Sequence, residues 1–135
     1  MYKHLLVAVS LDEERDAQGA MKVAERLCEP DGKISVLHVM EQVPGYIAGY
    51  MPEGFRSEVR SNTETRIREF VKNSKQANVV VMEGHAARSI LDWSNENDVD
   101  CIVLASHRPG MQDLLLGSTA THVVRHAKCA VHVLR

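Results

Sequence analysis

The sequence predicts an α/β fold: an open sheet of five parallel strands with helices on both faces. Three observations support this prediction. Short apolar runs alternate with longer amphipathic stretches along all 135 residues. The returns between consecutive runs are long enough for a helix, which a parallel pair of strands requires. The composition, 44% hydrophobic and 25% charged, is that of an ordinary globular protein. We therefore expect one three-layer domain spanning residues 1–135.

The first part of the chain predicts a strand, a helix and a second strand. His4–Val9 is a continuous apolar run, typical of a central strand. The acids of Asp12–Glu14 suit the first turn of a helix. The apolar stripe of that helix consists of Ala17, Ala20, Met21, Ala24 and Leu27. Pro30–Gly32 is expected to end it, and Ile34–Val39 to form the second strand.

The segment Met40–Gly54 interrupts this alternation. It contains two of the four prolines and three of the eight glycines of the chain. A loop of this length in a small domain is usually functional or mobile. Because it leaves the carboxyl end of the second strand, we interpret it as a flap or as part of a partner surface.

The rest of the chain supplies the remaining elements. A helix stripe is formed by Ala87, Ile90, Leu91 and Ser94. The other predicted elements are a largely solvated helix over Phe55–Lys75, strands over Val79–Met82, Cys101–Leu104 and Ala130–Leu134, and a helix over Ser118–His126. Right-handed crossovers would place these helices on both faces of the sheet.

The polar stretch after the fourth predicted strand is the candidate binding site. Ligands of open parallel sheets gather beyond the carboxyl ends of the strands. Free N–H groups at a helix start attract anions, phosphate above all. Gly117 permits close approach of the backbone, Ser118 offers an N–H and a hydroxyl and is expected to cap the helix, and Thr119 adds a donor.

The loop before this helix start adds further candidates. Arg108 has a planar fork of donors that suits phosphate. A solvated arginine, or one paired with Asp113 or with an acid of the Met40–Gly54 segment, is the alternative. His107 could titrate near neutral pH, but no partner is identified, which favours a solvated or backbone-bonded ring. Gly110 gives the loop backbone freedom.

Motifs of catalysis and metal binding are missing. The chain has no GxxxxGK[ST], GxGxxG or GxSxG motif, so we expect no enzyme and assign no catalytic residue. His122 and His126 have the i, i+4 spacing of a chelating pair. No HExxH motif accompanies them, and they lie opposite the expected buried stripe of Ala120, Val123, Val124 and Ala127. We therefore interpret them as a solvated pair and assign no metal ligand.

Composition restricts the partners. The net charge of −2 argues against a general nucleic-acid binder, and no apolar run approaches the about 18 residues of a membrane span. The three scattered cysteines suit reduced, buried thiols, and the first residues lack a signal-peptide pattern. We expect no nucleic-acid or membrane partner and a cytoplasmic location.

Several stretches carry a family resemblance. They are Leu5–Val9, Leu37–Val39, Ala105–Pro109 leading to Leu115–Ser118, and Val124–Arg135. Together they resemble the universal stress protein family, in its branch with Ser-His-Arg-Pro before Leu-Gly-Ser. The resemblance implies a Rossmann-like, adenine-nucleotide-binding fold, binding of ATP or AMP with Mg²⁺ accompanying the nucleotide, and homodimers that pair through the C-terminal strand, here Ala130–Leu134.

The resemblance also implies roles for individual residues. Adenine would lie between the ends of the first two strands, against Ala8, Val9 and the backbone of Val39. Ser10 stands where family binders usually have an aspartate that contacts the nucleoside.

In the loop, Ala105 and Arg108 stand at the family's two glycine positions, with Ser106 and His107 between them. We therefore predict a stress-response module that binds adenine nucleotide without efficient turnover. Slow ATP hydrolysis, with His107 orienting water, is left open. The alternative is a dimeric interaction protein with a vestigial nucleotide pocket.

Overall fold

The computed structural model describes residues 1–11, 14–105 and 117–135, without the side chains of residues 14–16. The elements along this part of the chain are β1 (Tyr2–Ala8), α1 (Glu14–Leu27), β2 (Cys28–Met40), α2 (Gly45–Ala48), α3 (Phe55–Phe70), β3 (Ala77–Glu83), α4 (Ala86–Glu96), β4 (Cys101–Ala105), α5 (Ser118–His126) and β5 (Ala130–Leu134). The five strands form one sheet in the order β3-β2-β1-β4-β5. Each neighbouring pair is parallel, which confirms the predicted fold class.

Two apolar layers lie on opposite faces of the sheet. Along β1 the side chains alternate, so that Leu5 and Val7 pack into the layer under α1 and α3, while Leu6 packs into the layer under α4 and α5. All three side chains are fully buried. The apolar run that was predicted to form a central strand is therefore covered by side chains on both of its faces, as a central strand is.

The start of β2 differs from the prediction. Helix α1 ends at Leu27, and β2 begins at once with Cys28, so Pro30–Gly32 lies within the strand and does not follow the helix as a separate turn. The pairing with β1 is irregular here, since Tyr2 is opposite Cys28 but His4 is opposite Lys33. A Cβ at Gly32 would lie 2.7 Å from the Cys28 Sγ and 2.9 Å from the Lys3 carbonyl oxygen, so this irregularity requires glycine.

Three further predictions need correction. The helix expected over Phe55–Lys75 ends at Phe70, where Val71 forms its C-cap through an N–H bond to the Ile67 carbonyl. The segment Met40–Gly54 contains a short helix, α2. Val124, expected in the buried stripe of α5, is 44% exposed. The buried residues of that helix are Ala120 and Val123. The stripe predicted for α4 is confirmed, and all four of its members are buried.

A buried histidine joins the strands at the amino end of the sheet. The Nδ1 of His4 lies 2.8 Å from the Asn97 carbonyl oxygen, and its Nε2 lies 2.7 Å from the Ser35 hydroxyl. The Ser35 oxygen lies 3.1 Å from the Asn78 side chain. Because the Asn97 carbonyl can only accept, Nδ1 carries a hydrogen. In neutral His4, the Ser35 hydroxyl hydrogen then lies between two acceptors, the His4 Nε2 and the Asn78 Oδ1.

Burial lowers the pKa of His4, and the nearby Lys33 ammonium lowers it further. The hydrogen bond to the Asn97 carbonyl and the carboxylates of Asp100 and Asp98 act in the opposite direction, and the net pKa of His4 is below the ordinary histidine value of 6.5. His4 is therefore neutral in the folded protein at pH 7.

We expect acid to destabilise the fold through His4. Between the ordinary histidine pKa and the lowered pKa of folded His4, the unfolded chain binds more protons, so the free energy of unfolding falls as the pH is lowered through this window. Urea unfolding at pH 7.5 and 5.5 measures this loss. His4→Gln should reduce the difference between the two pH values, whereas the exposed control His132→Gln should retain it. Equal pH dependence in both variants would contradict the assignment.

The three cysteines are free thiols, but only Cys101 is buried as predicted, whereas Cys28 and Cys129 are half-buried. Burial raises the pKa of Cys101 to about 11, and burial also raises the pKa of Cys28 and Cys129. Because the thiolate is the reactive form, these residues are poor nucleophiles at neutral pH. Their role in the described structure is packing.

Candidate functional site

The direction of the chain reverses between β1 and β4. From β1 the chain proceeds to β2 and β3 on one side, and then returns to β4 and β5 on the other side. In open parallel sheets a ligand crevice forms at such a switch point, outside the carboxyl ends of the strands. Here β1 ends at Ala8, followed by Val9 and an exposed Ser10, and β4 ends at Ala105. The fold therefore places these four predicted residues at the carboxyl ends of two neighbouring strands.

Helix α5 begins towards the same edge, because it ends at His126, shortly before the amino end of β5, and β5 is parallel to β4. Gly117 is its N-cap, with an extended backbone (φ −61°, ψ 158°), and no side chain caps it among the described residues. The prediction that Ser118 caps the helix is therefore wrong. Ser118 is the first helical residue, because the Gly117 carbonyl already accepts the first helical hydrogen bond, from Thr121 N–H at 2.9 Å. The N–H groups of Ser118 and Thr119 precede that bond and have no intrahelical acceptor.

The ends of β1 and β2 lie side by side. The Val9 N–H donates to the Leu37 carbonyl at 2.9 Å, which extends the pairing beyond the last residue of β1. Val9 is buried, whereas Ala8 and Val39 are half-buried. The structure thus places the three apolar residues of the predicted adenine pocket on adjacent strand ends.

Two side chains at this edge were missed by the sequence reasoning. The ring of His38 donates from Nδ1 to the Val9 carbonyl at 2.9 Å, and this leaves Nε2 as an acceptor. The guanidinium of Arg66, on α3, donates to the Leu11 carbonyl at 3.1 Å, directly after Ser10. The available signal for His38 was its place at the end of a strand. Arg66 gave no signal, because its contact spans 55 positions of sequence.

The remaining predicted site residues, Ser106, His107, Arg108 and Gly110, lie outside the described residues. So do Asp12 and Glu13, two of the acids expected at the start of α1. The predictions for these residues stay predictions.

The segment after β2 forms a second feature of the same edge. A groove of about 510 Å³ lies between residues 42–57 and Glu83. The guanidinium of Arg56 joins its two sides, 3.1 Å from the Glu83 carboxylate and 3.1 Å from the Glu41 carbonyl oxygen. On the outer side, Tyr46 and Tyr50 are 77% and 90% exposed. This segment is therefore attached to the sheet and carries an aromatic surface.

Two further observations concern sites and spans. In the ranges that the structure describes, no group of three or more His, Cys, Asp or Glu side chains is placed to hold a metal ion. None of the described helices combines the length and apolar character that crossing a membrane requires.

The strand order defines the class of protein: an open parallel α/β domain with a switch point between β1 and β4. The chain matches the family model described as "Universal stress protein family" over residues 1–135. It therefore belongs to the universal stress protein family, which confirms the resemblance found in the sequence.

Individual relatives and structures agree with this assignment. The chain is 33% identical to "Universal stress protein A homolog 2" of Coxiella burnetii, over 99% of this chain and 95% of that protein. It is 29% identical to "Universal stress protein G" of Salmonella typhimurium over the full length of both. Its fold is similar to that of universal stress protein UspA from Lactobacillus plantarum, with a TM-score of 0.76 and 22% identity over 99% of this chain and 98% of the other.

Two other solved structures of the same fold were determined with nucleotides. One is a universal stress protein in complex with cAMP, with a TM-score of 0.67 and 16% identity over 99% of this chain and 97% of the other. The second is the universal stress protein from Archaeoglobus fulgidus in complex with dAMP, with a TM-score of 0.63 and 20% identity over 99% of this chain and 98% of the other.

Proposed function

We propose that this protein is a stress-response module that binds an adenine nucleotide, ATP or AMP, at the β1–β4 switch point and does not turn it over efficiently. One observation carries the proposal: the N-terminus of α5 has no side-chain cap among the described residues and lies at the carboxyl edge of the sheet. The cAMP and dAMP complexes of proteins with this fold support the choice of adenine nucleotide.

The proposed pose follows from the placement of the residues. The phosphates lie on the backbone N–H groups of Gly117, Ser118 and Thr119, where the helix dipole favours negative charge. The adenine lies against Ala8, Val9 and Val39, which are apolar and adjacent.

The sugar lies near Ser10, and the loop residues complete the phosphate end. Ser10 provides a hydroxyl where a carboxylate is usual in the family, so it accepts and donates one hydrogen bond without charge. Ala105 and Ser106 begin the loop, and His107, Arg108 and Gly110 border the phosphates, with the Arg108 guanidinium as the charged partner. Mg²⁺ accompanies ATP through the phosphate oxygens and needs no protein cage.

A charge placed at the helix start tests the pose. Ser118→Asp should weaken ATP or AMP binding by about tenfold or more, because a carboxylate a few ångströms from a phosphate repels it. Helix stability should not fall, since an acid in the first turn is favourable there. Ser118→Asn is the neutral control of similar size and should bind within a few-fold of the original protein. Calorimetric titration with ATP and Mg²⁺, and with AMP, measures the affinities. No heat at millimolar nucleotide, or equal affinity in both variants, would reject the proposal.

Turnover is tested separately. We expect phosphate release from ATP to be no faster with the protein than in its absence. Measurable release that His107→Ala abolishes would instead establish the slow hydrolysis in which His107 orients water.

We further propose that two copies pair through β5 in the cytoplasm. In the described sheet β5 is the terminal strand and pairs with β4. Terminal strands are where sheets of two copies commonly join. Light scattering should give about twice the chain mass of 15.1 kDa. A single species at 15.1 kDa would exclude the dimer.

A second candidate function is an interaction protein with an empty pocket. The exposed Tyr46 and Tyr50 of the segment after β2 favour it, since aromatic residues are enriched in protein interfaces. Absence of nucleotide from an acid extract of the purified protein, together with no calorimetric binding, would select this candidate.

A further inference from the structure

Three histidines from two helices meet on the surface over α4 and α5. The ring centres of His122 and His126 are 4.6 Å apart, with the ring planes inclined at 43°. The ring centres of His85 and His122 are 6.1 Å apart. All three residues are exposed. The sequence showed the pair on α5, which was interpreted there as solvated and not as a metal site, and only the packing of α4 beside α5 adds His85. The ring spacing in the structure is the reason to revise that interpretation.

We propose that His122 and His126 form a two-ligand site for a borderline divalent metal ion such as Zn²⁺, Ni²⁺ or Cu²⁺. Imidazole is a preferred ligand of these ions. A ligating imidazole nitrogen lies about 2.0–2.1 Å from Zn²⁺. When two imidazole rings bind one ion with an N–Zn–N angle between about 90° and 109°, their ring centres are therefore roughly 4.5–5.2 Å apart. The 4.6 Å separation of His122 and His126 falls within this range. Their ring spacing is therefore compatible with a chelate.

His85 does not belong to the ligand set, for two reasons. Its ring centre is 6.1 Å from that of His122, beyond the range for two ligands at those angles. It is also the N-cap of α4, and its Nδ1 accepts the Arg88 N–H at 3.3 Å. A neutral ring that accepts at Nδ1 carries its hydrogen on Nε2, so neither nitrogen has a lone pair free for a metal.

This assignment agrees with the absence of a group of three ligands in the described ranges. The pair holds the ion at one side, and water fills the other positions. Arg125, which lies between the two histidines in sequence, bears a like charge and limits the affinity. The site is therefore an exchangeable one, and not a buried structural centre.

Calorimetric titration with Zn²⁺ alone tests the proposal, using protein without a polyhistidine tag at pH 7.5. We expect saturable binding with a dissociation constant below about 1 mM. His122→Gln and His126→Gln should each weaken it by roughly 10²-fold, because the second ligand then no longer binds intramolecularly. The matched control is His132→Gln, an exposed histidine on β5, which should bind as the original protein does.

A second readout is thermal stability. Zn²⁺ that binds the folded protein and not the unfolded chain should raise the melting temperature. This increase should persist in His132→Gln and His85→Gln and be absent from His122→Gln. Binding that is unchanged in His122→Gln and His126→Gln would overturn the proposal, as would no saturation below 1 mM. A loss in His85→Gln as large as in His122→Gln would overturn the two-ligand assignment.

Discussion

Replacing Leu6 by alanine is expected to lower the free energy of unfolding by about 2–5 kcal/mol, a large part of the stability of a domain of this size. Leu6 is fully buried at the centre of the sheet. It lies opposite Ser35 of β2 and Ile102 of β4, and it packs into the layer under α4 and α5. Truncation there leaves a cavity that the strands on both sides cannot close, because their backbones are held by the ladder.

Val124→Ala is the matched control for this substitution. It also removes part of an aliphatic side chain, but Val124 is 44% exposed on α5, so we expect a change of less than about 0.5 kcal/mol. Urea unfolding of both variants measures the difference. A similar loss in the two variants would show that the layer under α4 and α5 does not determine the stability.

Ser35→Ala is expected to have the second largest effect, a loss of about 1–3 kcal/mol. The substitution removes one hydroxyl from a buried position. The His4 Nε2, 2.7 Å from that hydroxyl, would then remain inside the protein without a partner. A buried polar group that loses its hydrogen bond contributes its full desolvation cost.

Ser94→Ala is the control that distinguishes the cost of an unpaired His4 Nε2 from the cost of removing a buried hydroxyl. Ser94 is also buried, and its hydroxyl donates to the Leu91 carbonyl at 2.8 Å. That carbonyl lies within α4 and retains its helical donor, so no group is left unpaired. We expect a change of less than about 0.5 kcal/mol. If Ser94→Ala were as costly as Ser35→Ala, the pairing of His4 would not be the cause. Thermal and urea unfolding at pH 7.5 provide the comparison.

The sequence predicted most of the fold because the signal is local and repeated. The bounds of α5 and β5 are confirmed as predicted, and the buried members of the α4 stripe are all correct. The wrong predictions concern residues whose structure depends on contacts with residues that are distant in the sequence. The sequence around Gly32 predicts a turn, but in the structure this region lies against Lys3 of β1 and forms part of β2. Val124 has the spacing of a core residue, but the sheet covers only part of that helix face.

The candidate site was predictable only in part, for a related reason. Gly117 and Ser118 predict a helix start in the sequence, and the family resemblance implies that they bind phosphate. The N-cap role of Gly117 depends on backbone angles that side-chain preferences do not determine. The contacts of His38 and Arg66 depend on which strand ends and helices become neighbours.

By itself, the sequence determined the alternation of strands and helices, most of their buried apolar residues and the family to which the chain belongs. These properties follow from the period of apolar residues and from short motifs, which are local in the chain. Tertiary structure alone decided the strand order, the switch point between β1 and β4, the His4–Ser35 contact and the approach of His85 to His122. Each of these joins residues that are far apart in sequence, and only the packing of the layers brings them together.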